Sequence, residues 1–395
     1  MSSPKVLHMS TYDAHGGAAR AAVAIHDSMR DAGVDSQMHI AQGDSLRFKL
    51  AKEADRRLWK LQKSETLTWR SPARFGSLSA KEINNSGADI VHLHWVTDGF
   101  LTIETIGQIK KPIVWSLCDA WAFSGAEHYA TGVSRTRSEL GYDKSNRNPK
   151  DSGFDLDRWT WKRKKSNWTK PMHLLPASKW LTQATRESAL MGTWPITQIP
   201  HIVNTHLFTS VAEQSKSKKQ LVVLFIASAG VHDSRKGADL LIEALKDASI
   251  TERLKVIIVG PRPSAHEGHR ISASLNHDLV FYGNARGDQE LIDLYSQANV
   301  TVVPSREDNM PIAAMESQSC GTPVVAFRIG GLSDIVDPTS SGYLAKPEDT
   351  RDLAQGIMEV LSKELRESTR EHAIATWSPG VIVPRLLSVY QEVLS

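Results

Sequence analysis

Along the chain, short apolar runs ending in small or polar residues alternate with segments of helical periodicity. This is the pattern of βαβ units around a parallel sheet. KVLHMS, from Lys5 to Ser10, predicts a first strand, and AARAAVAIHDSMRDAG predicts the helix after it, stopped at Gly33. ADIVHLHW and KPIVWSL predict two more strands, and MHLLPAS followed by KWLTQATRESALMG repeats the alternation. The stretch up to Gln220 is then polar and free of aromatics in its second half, so a domain boundary is expected between Asn204 and Gln220. Beyond it the pattern restarts: LVVLFIASA, LKVIIVG, LVFYG, VTVVPS and TPVVAF predict strands, spaced by helical segments such as GADLLIEALKDA and DQELIDLYSQA. Two successive α/β halves predict two Rossmann-like domains facing each other across a cleft. No short internal repeat points to a solenoid.

The length of 395 residues fits two domains, each large enough for a full core. With 41% apolar and 23% charged residues the composition is that of a globular protein, and no apolar run approaches the roughly 18 to 20 residues of a membrane span. MSSPKVLHMS lacks a charged segment followed by an apolar one, so a cytoplasmic location is expected. Two cysteines, Cys118 and Cys320, are too few for a disulfide framework or a four-thiolate zinc site. A net charge of +3 gives no argument for nucleic acid as a partner. The cations are nonetheless clustered. RWTWKRKKSNWTK, from Arg158 to Lys170, interleaves three tryptophans with six cations, and RFKLAKEADRRLWKLQK surrounds Trp59. Two readings stay open: a solvated helix face whose indoles pack inward, or a peripheral contact with anionic lipid or a polyanionic acceptor.

Ligands of open α/β sheets sit beyond the carboxyl ends of the strands, so the segments after each strand are the ones to inspect. After the first strand, Gly16 and Gly17 precede a helix, either as a tight turn or as a place where backbone amides approach an anion. This is not the dinucleotide fingerprint, and no acidic residue stands at the ribose-binding distance. After LVVLFIASA, Arg235 and Lys236 stand immediately before Gly237 and a helix, a planar fork and a point charge suited to a diphosphate. Cations there oppose the helix dipole and so call for a reason. After VTVVPS, the loop REDNMP leads into the helix IAAMESQSC, with Asp308 at the loop and helix start and Glu316 about two turns along among apolar neighbours. Asp308 reads either as a simple cap or as a ligand-facing carboxylate. Two other patterns are set aside as metal sites. The DLD of Asp155 to Asp157 follows no apolar strand, and the two imidazoles of His92 and His94 are read as pointing to opposite faces of their strand.

Taken together, GGAAR, RKG, GTPVVAF, the Gly330-Gly331 pair and SGYLAKPED resemble the retaining glycosyltransferases of family 4, which have the GT-B fold. DIVHLHW, KPIVWSLCDAWAFSGAEHY and LPASKWL are similar to segments of the exopolysaccharide and colanic-acid type. The resemblance implies an N-terminal acceptor-side domain over 1–204, a C-terminal nucleotide-sugar donor domain over 205–378, and a helix over 379–395 that packs back on the first domain. It implies a nucleotide-diphosphate donor, UDP-sugar before GDP-sugar, and a glycan or lipid-linked acceptor, with no cofactor and no metal. The family's pair of acids eight residues apart falls on Asp308 and Glu316, which implies sugar contact at Asp308 and ribose binding at Glu316. Glu307, Asn309, Met310 and Pro311 would border the sugar and phosphate, although Pro311 has no N–H to give. Lys236 and Arg235 would stabilise the leaving diphosphate, and Gly16 and Gly17 would close over the phosphates or the acceptor. Retention without an enzymic nucleophile implies front-face attack, with Asp119 orienting the acceptor hydroxyl.

The chain also departs from the family pattern. Asp308 replaces a glutamate, with Glu307 beside it. Cys118-Asp119 stands where relatives have His-Asp near the donor sugar, Glu127 stands near the position of a cysteine cluster, and PHIVN replaces PNGID. These departures leave an alternative from another class, a catalytically degenerate nucleotide-sugar-binding scaffold. An epimerase or hydrolase on the same fold is disfavoured by the family segments.

Overall fold

A computed structural model describes residues 4–13, 16–41, 43, 45–64, 69–129, 133–210 and 220–395. Part of the polar stretch read as a domain boundary, residues 211–219, lies outside them. The chain divides into two compact units, Met1–Pro200 with Val383–Ser395, and His201–Ile382.

In the first unit, β1 (Lys5–Ser10), β2 (Asp35–Ile40), β3 (Ile90–Leu93), β4 (Ile113–Leu117) and β5 (His173–Pro176) form one parallel sheet in the order β2-β1-β3-β4-β5. Every residue of β3, β4 and β5 is buried, as expected for strands of a sheet covered on both faces. The helices α1 (Gly17–Asp31), α2 (Leu46–Trp59) and α3 (Leu156–Asn167) belong to this unit. So does most of α6 (Pro379–Leu394), whose Leu386, Val389 and Tyr390 are buried. Strand order reverses between β1 and β3, because the chain crosses to β2 on one side of β1 and then to β3 on the other.

The second unit is a six-stranded parallel sheet of β6 (Val222–Ile226), β7 (Lys255–Val259), β8 (Asp278–Gly283), β9 (Val300–Val303), β10 (Val324–Phe327) and β11 (Gly342–Ala345), ordered β8-β7-β6-β9-β10-β11. This is the doubly wound dinucleotide-fold order, with its switch point between β6 and β9. Val223, Phe225, Val256, Ile258, Val300, Val302, Val325 and Phe327 build the core around the sheet. The segments leaving the switch-point strands lead to α4 (Ala238–Ala244) and α5 (Ile312–Ser319).

Candidate functional site

The two chemically loaded segments of the second unit leave adjacent strands at the switch point, and their side chains meet. After β6 the chain forms a 3-10 turn, Ser234–Lys236, and enters α4 through Gly237 at φ +70. A Cβ on Gly237 would stand 1.9 Å from the carbonyl oxygen of Pro304, which opens the segment after β9. Gly330, at φ +47, gives the same close approach from the other side, with a hypothetical Cβ 1.9 Å from the carbonyl oxygen of Asp308. Both positions require a residue without a side chain, and together they hold the 304–308 segment in place.

There Lys236 Nζ donates to Asp308 Oδ2 at 2.5 Å, and Ser305 Oγ donates to the same oxygen at 3.2 Å. Arg235 lies 3.8 Å from Asp308 Oδ2 and is tethered by donation to the Glu307 carbonyl at 2.9 Å and to Asp233 at 3.2 Å. Burial pushes the Asp308 carboxyl up, but the Lys236 and Arg235 cations hold it below its ordinary value. Asp308 is thus an ion-paired acid and not a helix cap: α5 starts four residues later at Ile312, with Pro311 in the N-cap position. Asn309 and Met310 are buried behind it, while Glu307 is half-buried. Glu316, 4% exposed, accepts from the Tyr295 hydroxyl at 3.0 Å. Arg235, Lys236 and Asp308 are therefore brought together, and Glu316 lies about one turn along the helix that the same loop feeds.

The remaining site residues lie in the first unit, again beyond strand ends. Gly16, at φ +88, is the N-cap of α1, which begins at Gly17. Cys118 and Asp119 directly follow β4. Asp119 accepts from His128 Nδ1 at 2.6 Å, from Trp95 Nε1 at 3.1 Å and from the Trp121 amide at 2.9 Å. Burial alone would raise its carboxyl, and His128 foremost among these partners holds it below the ordinary value. Burial, reinforced by Asp119, pushes the Cys118 thiol up, so it is no thiolate. A small cavity of about 10 Å³ is lined by Trp95, Thr97, Cys118, Asp119 and His128 among others.

Several residues at this end carry no motif and escape the sequence reading. Tyr12, after β1, donates to Asp98, after β3, at 2.5 Å. Arg56 of α2 reaches Asp98 with two bonds of 2.8 and 2.9 Å, and Lys52 lies 3.4 Å from it. Asp98 holds φ +57, an unfavourable conformation for a residue with a side chain, and such strain gathers at binding sites. The signal available in sequence was positional: Tyr12 and Asp98 each follow a strand flanking the reversal of strand order.

One sequence expectation is corrected and a second in part. His92 and His94 do not point apart. Residues two apart on a strand share a face, and their rings stack with centroids 4.4 Å apart. With His8 they form a buried cluster whose ligand atoms lie within 4.8 Å of one another. His8 Nδ1 is 2.9 Å from His94 Nε2, and His92 is bonded on both sides, to the Tyr390 hydroxyl and to Ser116. The basic tryptophan stretch packs Trp161 and Trp168 inward, as one of its two readings expects, but it is not solvated at every cation. Trp161, Lys164 and Trp168 share the inner side of α3 and the residue capping it. Lys164 Nζ donates to the carbonyls of Trp121, Ser124 and Gly125 and lies 3.9 Å from the Trp121 ring centroid. Burial pushes the Lys164 amine well below its ordinary value, and its hydrogen bonds brace the 121–125 segment next to Asp119.

Residues 209–376 match the family described as Glycosyl transferases group 1. Over 186 residues the chain is 34% identical to the D-inositol 3-phosphate glycosyltransferase of Saccharomonospora viridis, covering 43% of each protein. Over 240 residues it is 31% identical to that of Acidothermus cellulolyticus, covering 54% of this chain and 52% of the relative. The chain thus spans about half the length of these curated relatives. Among solved structures, sucrose-phosphate synthase from Thermosynechococcus elongatus superposes with a TM-score of 0.66 at 17% identity over 98% of each chain. Anabaena HepE in complex with UDP-glucose superposes with a TM-score of 0.62 at 14% identity, over 98% of this chain and all of the other. The second unit thus matches a glycosyltransferase group 1 domain over residues 209–376, in a chain whose two Rossmann-like halves have the GT-B fold.

Proposed function

We propose that this protein is a retaining glycosyltransferase that moves a sugar from a nucleoside diphosphate, UDP in preference to GDP, to a glycan or lipid-linked acceptor in polysaccharide biosynthesis. The observation that carries the reading is the Lys236, Arg235 and Asp308 cluster at the switch point of the second unit. Two cations on one turn match a diphosphate, and Asp308 keeps Lys236 in place until that anion arrives. Glu316 then serves the ribose, and Asp308 or Glu307 serves the sugar hydroxyls. A UDP-glucose complex of a protein with this fold supports the UDP preference.

In this reading the acceptor oxygen bonds to the anomeric carbon on the face from which the diphosphate leaves. The bond from that carbon to the phosphate oxygen breaks, and the acceptor proton passes to the departing phosphate. Lys236 and Arg235 neutralise the charge that develops, a role that asks for no metal or cofactor, and Asp119 of the first unit orients the acceptor hydroxyl. A lipid-linked acceptor and peripheral membrane contact are supported by α2, which exposes Leu46 (72%) and Leu50 (61%) on the same helix as exposed Arg47 and Arg57. No helix among the described residues is long and apolar enough to cross a membrane.

The test is transfer by the purified protein from a panel of UDP- and GDP-sugars to oligosaccharide and lipid-linked acceptors. Lys236→Ala and Glu316→Ala are expected to abolish transfer in a folded protein, and unchanged turnover in both would overturn the reading. The scaffold alternative is favoured by one feature, the neutral thiol of Cys118 beside Asp119. A Cys118→His variant that gains transfer over a silent parent would support it.

A further inference from the structure

Asp119 is the outer end of a hydrogen-bond chain that runs inward through His128 to Ser71 and Thr97. His128 Nδ1 lies 2.6 Å from Asp119, its Nε2 lies 2.8 Å from Ser71 Oγ, and Ser71 Oγ lies 3.1 Å from Thr97 Oγ1. Serine, imidazole and carboxylate stand in the order of a hydrolase triad, but their exposure is reversed. Ser71 is 2% exposed and His128 3%, whereas the Asp119 side chain is 18% exposed and lines the small cavity beside Trp95 and Cys118. A buried hydroxyl is no nucleophile, so the chain acts at its carboxylate end.

The main chain builds this relay as a unit. Ser71 N donates to the Ala126 carbonyl at 2.7 Å, His128 N to Trp69 at 3.2 Å, and Ala120 N to the His128 carbonyl at 2.9 Å. These three bonds fix the segments carrying Ser71, Asp119 and His128 against one another. A carboxylate can only accept, so the short bond to Asp119 places a proton on Nδ1 and leaves Nε2 toward Ser71.

We propose that His128, backed by Ser71, is a positioning residue for the transfer reaction: its hydrogen bond fixes the Asp119 carboxylate in place and aims it at the acceptor hydroxyl. The inference rests on the glycosyl-transfer reading and adds a residue that the family resemblance did not name. Bonds to a charged group contribute about 1.5–3 kcal/mol, so removing the His128 donor is expected to lower kcat about 10- to 100-fold. KM for the nucleotide sugar should stay close to wild type.

The experiment compares wild type, His128→Ala and His128→Asn, whose amide can still donate to Asp119. Two readouts are taken: the pH profile of transfer, and the titration of the Asp119 carboxyl followed by carbon NMR and assigned with Asp119→Asn. In His128→Ala the carboxyl should titrate at higher pH and the acid limb of the rate profile should move up with it. His128→Asn should recover most of both. A carboxyl titration that stays in place in His128→Ala overturns the proposal, as does an acid limb that ignores it, or equal losses in both variants. A wild type silent on every donor while its Asp119 titration responds to His128→Ala would overturn the positioning role in transfer together with the functional reading. A wild type that transfers with unaltered titration in His128→Ala would overturn this proposal alone.

Discussion

Replacing Lys236 by methionine keeps most of the side-chain volume and removes the cation that faces Asp308. The wild-type pair is 2.5 Å apart, with side chains 19% and 11% exposed. Breaking a fully buried pair costs about 3–5 kcal/mol, and a hydrogen bond to a charged group contributes about 1.5–3 kcal/mol. Ser305 keeps its bond to Asp308, Arg235 remains 3.8 Å away, and water reaches the partly open site. The expected cost is therefore about 2 kcal/mol, or about 4–8 °C in Tm for a unit of this size. The sign with pH follows from Asp308, whose folded pKa lies below its unfolded value. Its stabilising contribution is complete above the unfolded pKa and is lost as pH falls through the folded one. The gap between wild type and Lys236→Met should thus be widest near neutrality and should narrow in acid. If Lys236 also stabilises the departing diphosphate, kcat falls about 10²- to 10³-fold, far beyond any loss of folded protein. Thermal melts from pH 3 to 8 and single-donor kinetics on the same samples check both halves. Melting curves that coincide at every pH, or a rate that falls only with the folded fraction, would refute the reasoning.

Other perturbations reach different parts of the account. Lys164→Met leaves three carbonyls without their donor and is expected to destabilise the first unit by about 3 kcal/mol or more, read by denaturant unfolding, and to lower transfer through the Asp119 segment. Glu127 is buried next to Asp157, which pushes its carboxyl up from 4.5 to about 8. A folded group that holds its proton longer than the unfolded one makes stability fall as pH rises through that window. Glu127→Gln should flatten this fall in melts between pH 5 and 8, and an unchanged slope would contradict the assignment. Gly330→Ala places a methyl 1.9 Å from the Asp308 carbonyl oxygen at φ +47, so it should cost about 2 kcal/mol or more and impair donor binding, read by calorimetry.

The strands of both sheets were legible because covered parallel strands are continuous apolar runs, as in VTVV and VVAF. The edge strand DSQMHI was not: its outer position leaves it partly exposed, and its polar residues hide it. The Arg235-Lys236 turn and the Asp308 loop were legible from their place after strands, and the strand order explains why they meet across 72 residues of sequence. Lys164 was hidden by its basic neighbours. Only its position three residues after Trp161 and four before Trp168 marks it as inward-facing. The Ser71, His128 and Asp119 chain left no signal, since it depends on two loops that hydrogen bonds bring together.

The central claim is that Lys236 faces a diphosphate and Glu316 a ribose of the same nucleotide. Calorimetric titration of wild type, Lys236→Ala and Glu316→Ala with UDP and with uridine, repeated with GDP and guanosine, tests it most directly. The account predicts saturable diphosphate binding by wild type. Lys236→Ala should weaken the diphosphate but leave the nucleoside unchanged, and Glu316→Ala should weaken both. Equal diphosphate affinity in all three proteins, or no binding of either diphosphate by wild type, would contradict it.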